Sequence, residues 1–327
     1  MEKICFFNTK SYDIKWFDHY NKNYEIKFYE SRLNKNSAIL ASGSGGIISF
    51  VNDNLDKDTI DILYELGVKV IALRCAGYNH VDLNAAKDKI KILNVPSYSP
   101  SSVAEYAIGM FLTLNRKIHK AYTKTRDYNF SLNGMVGFDL KGKTIGIIGT
   151  GKIGEELIEI CKGFKMNVIA YDLFPKKDGD IQYVDLNTLL NNSDIISLHC
   201  PLTKDTKYLI NKKTLQKMKK GAYIINTSRG ELIETDSLIS ALKDGLIGGA
   251  CLDVYEGEKD FFYEDKSDLI KRDDKLSALV SMPNVILTSH QAFLTDEALK
   301  NIAKITIQNL DDFYGRKKLK NEVKIKG

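Results

Sequence analysis

The sequence predicts an α/β fold made of two doubly wound parallel sheets, one in each of two domains. The 327 residues are enough for two domains of about 150 residues each. Short runs rich in β-branched and aromatic residues recur between helical patterns, and this alternation is typical of parallel sheets. A polar connector, residues 97–99, lies between Pro96 and Pro100 and divides the alternation into two series.

The first series predicts five strands with helices between them. The strands are expected at residues 4–9, 24–29, 46–51, 70–74 and 90–95. A helix is expected at residues 55–66, where Ile60, Leu63 and Leu66 fall at helical spacing. After the connector, Ser102 and Glu105 have the spacing of a capping box, which predicts that a long apolar helix begins there and runs to Ile118. Such a helix suits a subunit interface and packing between domains equally well.

The second series predicts a complete nucleotide-binding domain of six strands. The strands are expected at residues 144–148, 167–171, 194–199, 222–226, 249–252 and 284–288. Helices are expected at residues 154–164 and 236–243, and a last amphipathic helix at residues 297–313.

Composition and charge exclude several classes of protein. With 43% hydrophobic and 27% charged residues, wholesale disorder is not expected. No apolar run reaches the roughly 18 residues of a membrane span, and the N-terminus does not resemble a signal peptide, so we expect a cytoplasmic protein. The net charge of +5 is dispersed except at residues 316–320, which fit a solvated terminus better than a nucleic-acid-binding arm. Five scattered cysteines without a C-x-x-C pair disfavour disulfides and a metal site.

A glycine-rich turn is the strongest motif. Gly149, Gly151 and Gly154 form G-x-G-x-x-G directly after an apolar strand and at the start of a helix, and Asp172 ends the next strand 18 residues after Gly154. In this pattern the glycines permit a tight turn, close approach of a pyrophosphate and close helix–strand packing. The helix N-terminus favours phosphates, and the aspartate accepts hydrogen bonds from a ribose. Because a carboxylate repels a 2′-phosphate, we expect NAD rather than NADP.

Three polar segments follow later strands, where an open α/β sheet binds its ligands. They are residues 226–230, 253–258 and 289–293. Arg229 can hold a substrate carboxylate with its planar guanidinium. His290 can move a proton, and Glu258 can orient the imidazole and favour its charged form. Together these groups suit hydride transfer to or from a 2-hydroxy acid.

These segments resemble the D-isomer-specific 2-hydroxyacid dehydrogenases. The resemblance rests on the glycine turn, Ser-Arg-Gly at 228–230, Asp-Val-Tyr-Glu-Gly-Glu at 253–258 and His-Gln-Ala-Phe at 290–293. The fermentative members are matched further by residues 95–100, 114–116, 199–203 and 261–267. The likeness is clearest over residues 67–313 and weakest over the first 40. Gln291 departs from the threonine that is commoner in the family, although glutamine also looks typical of the fermentative members.

The resemblance implies a role for each matching residue. Arg229, Glu258 and His290 would be catalytic. The implied cofactor contacts are Gly149, Gly151, Lys152, Ile153, Gly154, Asp172, Cys200, Pro201, Thr206, Thr227, Ser228, Arg229 and Asp253, the last of them near the nicotinamide amide. The implied substrate contacts are Gly77 and Tyr78 in the loop at residues 76–79, with Tyr98, Arg229 and Phe293.

The resemblance also implies the domain plan and the activity. Residues 1–98 with 299–327 would form a flavodoxin-like substrate domain, onto which residues 302–313 return, and residues 99–298 a Rossmann NAD-binding domain. The expected activity is reversible reduction of pyruvate to D-lactate by NADH in a fermenting cell. We expect a homodimer or higher homo-oligomer that binds neither nucleic acid nor membranes.

Two alternatives remain open from the sequence. One is a related dehydrogenase for bulkier or dicarboxylic acids, such as 2-hydroxyisocaproate or phosphoglycerate. Residues 77–80 offer few of the basic groups that phosphoglycerate would need. The other is an NADH-sensing corepressor or scaffold, which would predict interaction tails that this chain almost lacks. A zinc alcohol dehydrogenase is excluded because the sequence has no cysteine–histidine ligand set.

Overall fold

The structure, a computed structural model, describes residues 1–176, 180–268 and 273–325. The chain divides into two compact units. The first comprises Met1–Ser99 and Leu294–Gly327, and the second comprises Pro100–Phe293. Each unit has its own parallel sheet, so the predicted α/β class with two doubly wound sheets is confirmed.

The first unit contains a five-stranded sheet. Its elements in chain order are β1 (Glu2–Phe6), α1 (Ser11–Tyr20), β2 (Tyr24–Phe28), β3 (Gly46–Ser49), α2 (Lys57–Glu65), β4 (Val70–Leu73), α3 (Leu83–Ala86) and β5 (Lys91–Leu93). The strand order is β2-β1-β3-β4-β5, and every pair is parallel. This order is that of flavodoxin-like sheets.

The second unit contains a seven-stranded sheet. Its elements in chain order are α4 (Pro100–Asn115), α5 (Ile118–Arg126), β6 (Thr144–Ile148), α6 (Lys152–Gly163), β7 (Asn167–Tyr171), β8 (Gln182–Tyr183), α7 (Leu186–Asn192), β9 (Ile195–Leu198), α8 (Lys212–Leu215), β10 (Ala222–Asn226), α9 (Thr235–Lys243), β11 (Ile247–Leu252), α10 (Asp274–Ser281) and β12 (Val285–Leu287). The order β12-β11-β10-β9-β6-β7-β8 extends the Rossmann arrangement by one strand.

The final helix, α11 (Asp296–Tyr314), belongs to the first unit, where it packs on α1 and β4. In the second unit successive strand residues alternate between two apolar clusters. Ile225 joins one cluster with α4 and α6, and Ile224 joins the other with α9 and α10. Because side chains alternate along a strand, both faces of the large sheet are covered.

Several bounds differ from the predictions. The first strand lies at Glu2–Phe6 and not at residues 4–9, and the fifth is confined to Lys91–Leu93 within the predicted 90–95. The helix predicted to begin with a capping box at Ser102 begins instead at Pro100, which suits a first helical position because it lacks an N–H and has a fixed φ. The helix also ends at Asn115 and not at Ile118, because Lys117 is left-handed with φ 56°. The short edge strand β8 was not predicted.

Within the described residues, no helix combines the length and the apolar character needed to cross a membrane.

Candidate active site

The glycine turn connects β6 to α6. Gly149 has φ +95°, and a Cβ there would lie 2.6 Å from the amide nitrogen of Cys200. A Cβ on Gly154 would lie 2.1 Å from the carbonyl oxygen of Gly149. Both positions therefore require glycine for reasons within the chain itself. Gly151 differs, because a Cβ there would meet nothing within 4 Å. It is the N-cap of α6 and no side chain caps that end, so the helix amides are available to an anion.

Asp172 lies at the carboxyl end of β7, next to this turn. Its Oδ2 accepts hydrogen bonds from the amide (2.7 Å) and hydroxyl (3.0 Å) of Thr150, and its Oδ1 accepts one from the amide of Phe174 (2.8 Å). Partial burial alone would raise the pKa of this carboxyl, but these hydrogen bonds outweigh it and leave the pKa lowered. The carboxylate for which ribose binding is predicted is therefore held in its charged form beside the glycine turn. The contribution of Thr150 was not predicted.

The polar segments after β10, β11 and β12 all begin at the carboxyl ends of their strands, on the same side of the sheet. Asn226 pairs with Leu252, and Leu252 pairs with Leu287, so these three strands end in register. The amide of Asp253 donates to the carbonyl of Asn226, and the amide of Thr288 donates to that of Leu252. The parallel strands thus bring together the segments that carry Arg229, Glu258 and His290, as the sequence predicted for an open sheet.

Glu258 and His290 form a direct pair. Oε1 of Glu258 lies 2.8 Å from Nδ1 of His290, and the two side chains are only 20% and 15% exposed. The second carboxylate oxygen accepts a hydrogen bond from the amide of Tyr255 at 3.0 Å, which fixes the carboxylate from its own loop. Because Nδ1 is engaged, Nε2 is the ring nitrogen available to a substrate. The geometry suits a general acid or base that is oriented by a carboxylate.

Asp253 holds the loop that carries the histidine. Its Oδ1 accepts hydrogen bonds from the Thr288 hydroxyl (2.6 Å) and the Gln291 amide (2.9 Å), and its Oδ2 accepts one from the Ala292 amide (2.8 Å). The residue is 0% exposed. Burial raises the pKa of this carboxyl, against the effect of those hydrogen bonds. The predicted contact with the nicotinamide amide would have to share oxygens that already accept three hydrogen bonds. The structure on its own gives Asp253 a positioning role.

Asn226 organises the loop that carries Arg229. Its side chain donates to the Arg229 carbonyl at 2.9 Å and accepts from the Ser228 amide at 3.0 Å. Gly230 must be glycine, because a Cβ there would lie 2.1 Å from the carbonyl carbon of Tyr255. The guanidinium of Arg229 donates to the carbonyl of Ser228 at 2.6 Å. One of its five N–H groups is thus used within the loop, and the planar group retains further donors for a carboxylate.

Sequence reasoning did not single out Asn226 as a site residue. An asparagine at the end of a strand does carry a signal, because its side chain readily bonds to nearby backbone groups.

The remaining predicted cofactor contacts all lie in the second unit, and hydrogen bonds join four of them in pairs. The Ser228 hydroxyl donates to the carbonyl of Cys200 at 2.8 Å, and the Thr206 hydroxyl donates to that of Pro201 at 2.7 Å. Burial raises the pKa of the Cys200 thiol to about 11, so this thiol is a packing group and not a nucleophile. Lys152 and Ile153 begin α6, where Lys152 is exposed.

The predicted substrate contacts are divided between the units. Gly77, Tyr78 and Tyr98 belong to the first unit, and Arg229 and the buried Phe293 to the second. In the first unit the Asn94 side chain donates to the carbonyl of Ala76 at 2.8 Å, and the Cys75 thiol donates to that of Gly77 at 3.2 Å. The Asn301 side chain on α11 donates to the carbonyl of Tyr98 at 2.7 Å.

Arg74 precedes this loop and is fully buried. It pairs with Asp13 at 3.2 Å, and its guanidinium carbon lies 3.8 Å from the ring centre of Phe50. This buried ion pair was not predicted from the sequence.

The second unit fits a dinucleotide. The uncapped helix end at Gly151 offers free amides, and the ionised Asp172 offers acceptors beside it. The hydroxyl of Thr227 is buried without a hydrogen-bond partner among the described residues, which is expected where a ligand supplies the partner. Those residues contain no group of three or more histidine, cysteine or acidic side chains that could hold a metal ion.

Comparison with known proteins agrees with this geometry. Residues 108–292 match the model of the D-isomer specific 2-hydroxyacid dehydrogenase NAD binding domain. The chain is 46% identical to a D-lactate dehydrogenase of Escherichia coli over 98% of this chain and 99% of the relative. It is 48% identical to 2-hydroxyacid dehydrogenase homolog 1 of Schizosaccharomyces pombe, over 95% and 96%.

Among solved structures, the pyruvate reductase of Chlamydomonas reinhardtii is 42% identical and superposes with a TM-score of 0.92, with 98% of each chain covered. The apo-structure of the Escherichia coli D-lactate dehydrogenase gives a TM-score of 0.89 at 44% identity, covering 98% of this chain and 100% of that one. The chain therefore belongs to the family of D-isomer specific 2-hydroxyacid dehydrogenases, and is an NAD-dependent oxidoreductase whose residues 108–292 are the NAD-binding domain.

Proposed function

We propose that this enzyme reduces pyruvate to D-lactate with NADH, reversibly, and that it does so in the cytoplasm of a fermenting cell. The observation that carries the proposal is the Glu258–His290 pair at 2.8 Å, on the same sheet edge as the Arg229 loop. It is supported by relatives named D-lactate dehydrogenase and pyruvate reductase at 42–46% identity.

The residues divide the work of the reaction. Arg229 binds the carboxylate of the 2-keto acid through paired N–H groups and sets its orientation. The cofactor, when bound at the glycine turn, supplies the hydride. His290 in its charged form donates the proton from Nε2 to the keto oxygen, while Glu258 holds Nδ1 and stabilises the imidazolium. In lactate oxidation the neutral ring takes the same proton back.

The substrate loop belongs to the same proposal. Residues 76–79 contribute backbone amides to the substrate carboxylate, with Gly77 and Tyr78 at its centre. Tyr98 and Phe293 contribute apolar walls that exclude water. The first unit would then be the substrate domain and the second the cofactor domain. Two contacts support the view that the loop at residues 76–79 is preformed: the hydrogen bond from Asn94 and the buried Arg74–Asp13 ion pair just before the loop.

The experiment is an assay of NADH oxidation with a panel of 2-keto acids, followed by chiral analysis of the product. We expect pyruvate to have the highest kcat/KM and the product to be D-lactate. A higher kcat/KM with 2-ketoisocaproate or a phosphorylated keto acid would favour a related dehydrogenase instead. Binding of NADH without turnover of any 2-keto acid would favour a sensor or scaffold.

We further propose that the enzyme is a homodimer or a higher homo-oligomer. Helix α5 has no buried residue, and large apolar side chains on it and just after it are exposed: Tyr122 62%, Tyr128 86%, Phe130 69%, Leu132 81% and Val136 87%. Exposed apolar side chains of this size suit an interaction surface, and a twofold axis would let two copies bury them against each other. Sedimentation velocity of the wild type and of Tyr128→Ser/Phe130→Ser tests this. A monomeric wild type would contradict the proposal.

A further inference from the structure

The segment that carries Glu258 also contacts the backbone of His290. A short 3₁₀ turn, Glu258–Asp260, begins this segment, and the amides of Phe261 and Phe262 donate to the carbonyl of Glu258 at 3.1 and 2.9 Å. Phe262 is 6% exposed and packs into the apolar cluster that includes residues of α9 and α10. Residues 258–263 are thus anchored to the core of the second unit.

Tyr263 ends this stretch and reaches the histidine. Its hydroxyl donates to the backbone carbonyl of His290 at 2.9 Å, and the two ring centres lie 6.0 Å apart. Residues 258–263 therefore hold His290 at two points. Glu258 holds the ring, and Tyr263 holds the peptide that joins His290 to Gln291.

Both partners in this hydrogen bond have left-handed backbones. φ is +54° at His290 and +68° at Tyr263, an uncommon conformation for residues other than glycine. Such a conformation persists only when its surroundings fix it. At His290 the amide donates to the carbonyl of Asp253 at 2.7 Å, and the carbonyl accepts from Tyr263. The backbone of the histidine is therefore fixed on both of its peptide groups.

We propose that Tyr263 is a positioning residue for proton transfer, one that sets the direction of the His290 ring through its backbone carbonyl. This role rests on the proposed function, in which Nε2 of His290 delivers the proton to the keto oxygen. Glu258 alone fixes one nitrogen of the ring and leaves the ring free to move with its backbone. A proton donor displaced by even a fraction of an ångström loses rate, because transfer depends on distance and alignment.

The kinetic test is Tyr263→Phe, which keeps the ring and removes the hydroxyl. A neutral hydrogen bond of ordinary strength predicts a fall in kcat for pyruvate of about three- to tenfold, with the KM for NADH within about twofold. Because the charge of Glu258 is retained, the loss of kcat should be smaller than that in Glu258→Gln, which removes the negative charge beside the ring.

Tyr208→Phe is the matched control. The hydroxyl of Tyr208 donates to the carboxylate of Glu256, so the variant also loses a phenolic hydrogen bond to the neighbouring loop. We expect its kcat to equal that of the wild type. An equal loss of kcat in both variants would show that removing any phenolic hydrogen bond near these loops lowers the rate. That result would overturn the role assigned to Tyr263.

A spectroscopic test reports the contact without any turnover. His290–Gln291 is the one His–Gln pair in the sequence, so carbonyl-¹³C histidine combined with ¹⁵N glutamine gives a single correlated signal. Loss of the hydrogen bond in Tyr263→Phe should move that carbonyl resonance upfield, and Tyr208→Phe should leave it in place.

An unchanged resonance in Tyr263→Phe would overturn the contact. A shifted resonance with unchanged kcat would overturn the positioning role. A wild type that reduces no 2-keto acid would overturn the proposed function and with it the role in proton transfer, while the resonance would still decide the contact.

Discussion

Oε1 of Glu258 and Nδ1 of His290 lie 2.8 Å apart, in a pair whose side chains are largely withdrawn from water. In such surroundings the attraction between a carboxylate and an imidazolium is screened less than it would be at the surface. The pair therefore has two effects that can be separated by mutation. It fixes the orientation of the ring, and it places a negative charge beside the ring that would carry a positive charge during pyruvate reduction.

Glu258→Gln keeps the size of the side chain and deletes its charge. The glutamine oxygen can still accept a hydrogen bond from Nδ1, so the variant can keep the ring oriented while it loses the negative charge beside the ring. Hydrogen bonds to charged groups contribute about 1.5–3 kcal/mol, so kcat for pyruvate should fall about tenfold or more. The measurement is kcat and the KM for pyruvate in both proteins. An unchanged kcat would limit Glu258 to orienting the ring.

Arg229→Lys keeps a positive charge and loses the planar, two-pronged geometry. Hydrogen bonds to charged groups contribute about 1.5–3 kcal/mol, so kcat/KM for pyruvate should fall about tenfold or more. NADH binding, followed by fluorescence titration, should change much less. Asn226 holds the loop in both proteins, so a collapse of the loop is not expected. Unchanged efficiency with pyruvate would place the carboxylate clamp on another residue.

Asp172→Ala removes the carboxylate that the Thr150 and Phe174 amides hold. Those hydrogen bonds keep the pKa of Asp172 low, so its charge should oppose a 2′-phosphate at every pH at which the enzyme is folded and active. The wild type should therefore use NADH far better than NADPH, and the variant should bind NADH more weakly and discriminate less. Steady-state kinetics with both cofactors measure this. Efficient use of NADPH by the wild type would contradict the role given to Asp172.

The regular parts of the fold were predictable because burial dictates their composition. Strands β6, β7 and β10 were predicted with their observed bounds, since both faces of a central strand are covered and the apolar run is continuous. The two-residue edge strand β8 carries too short a pattern to be predicted. The start of α4 was predicted two residues late because the Ser102–Glu105 spacing of a capping box competed with Pro100, a residue suited to the first helical position.

Arg229, Glu258 and His290 could be predicted as candidate site residues because their side chains carry the groups that binding of a carboxylate and transfer of a proton require. Residues that act through the backbone could not. Tyr263 and Asn226 donate hydrogen bonds to backbone carbonyl groups. Because every residue type has such a carbonyl, the residue types do not indicate which residues are in contact. Asp253 is a residue whose predicted contact differs from the contacts observed in the structure. The family resemblance implies that it contacts the cofactor, whereas in the structure its carboxylate accepts hydrogen bonds from Thr288, Gln291 and Ala292.

The cysteines provide a prediction that is independent of catalysis. Burial raises the pKa of Cys200 to about 11 and that of Cys161 to about 12, and it raises that of Cys251 as well. Since the thiolate is the reactive form, these three should resist iodoacetamide at pH 8 in the folded enzyme. Peptide mapping after alkylation checks this, and all five cysteines should react once the chain is unfolded in urea. Fast alkylation of Cys200 in the folded enzyme would contradict its buried, protonated state.

His199 should make the folded enzyme sensitive to acid. It follows β9, and its Nε2 lies 2.8 Å from the Ser197 hydroxyl. Burial lowers the pKa of His199 to about 4 from its usual 6.5. In the unfolded chain His199 is therefore protonated below about pH 6.5, whereas in the folded chain it is protonated only below about pH 4. The contribution of the neutral ring to the stability of the fold is complete above about pH 6.5 and is lost as the pH falls through this interval. At pH 5 the loss should be of the order of 2 kcal/mol.

The comparison is between wild type, His199→Gln and His19→Gln, each unfolded thermally at pH 7.5 and at pH 5. His19 is exposed, so its replacement serves as a control for the loss of one histidine. Because glutamine does not titrate, His199→Gln should lose less of its melting temperature on acidification than the other two proteins do. NMR of the histidine rings gives the direct check. The ring resonance of His199 is assigned as the one that is absent from the spectrum of His199→Gln, and in the wild type it should keep the chemical shift of a neutral ring down to about pH 5. Titration of that resonance near pH 6.5 would show that the ring is hydrated and remove the basis for the acid sensitivity.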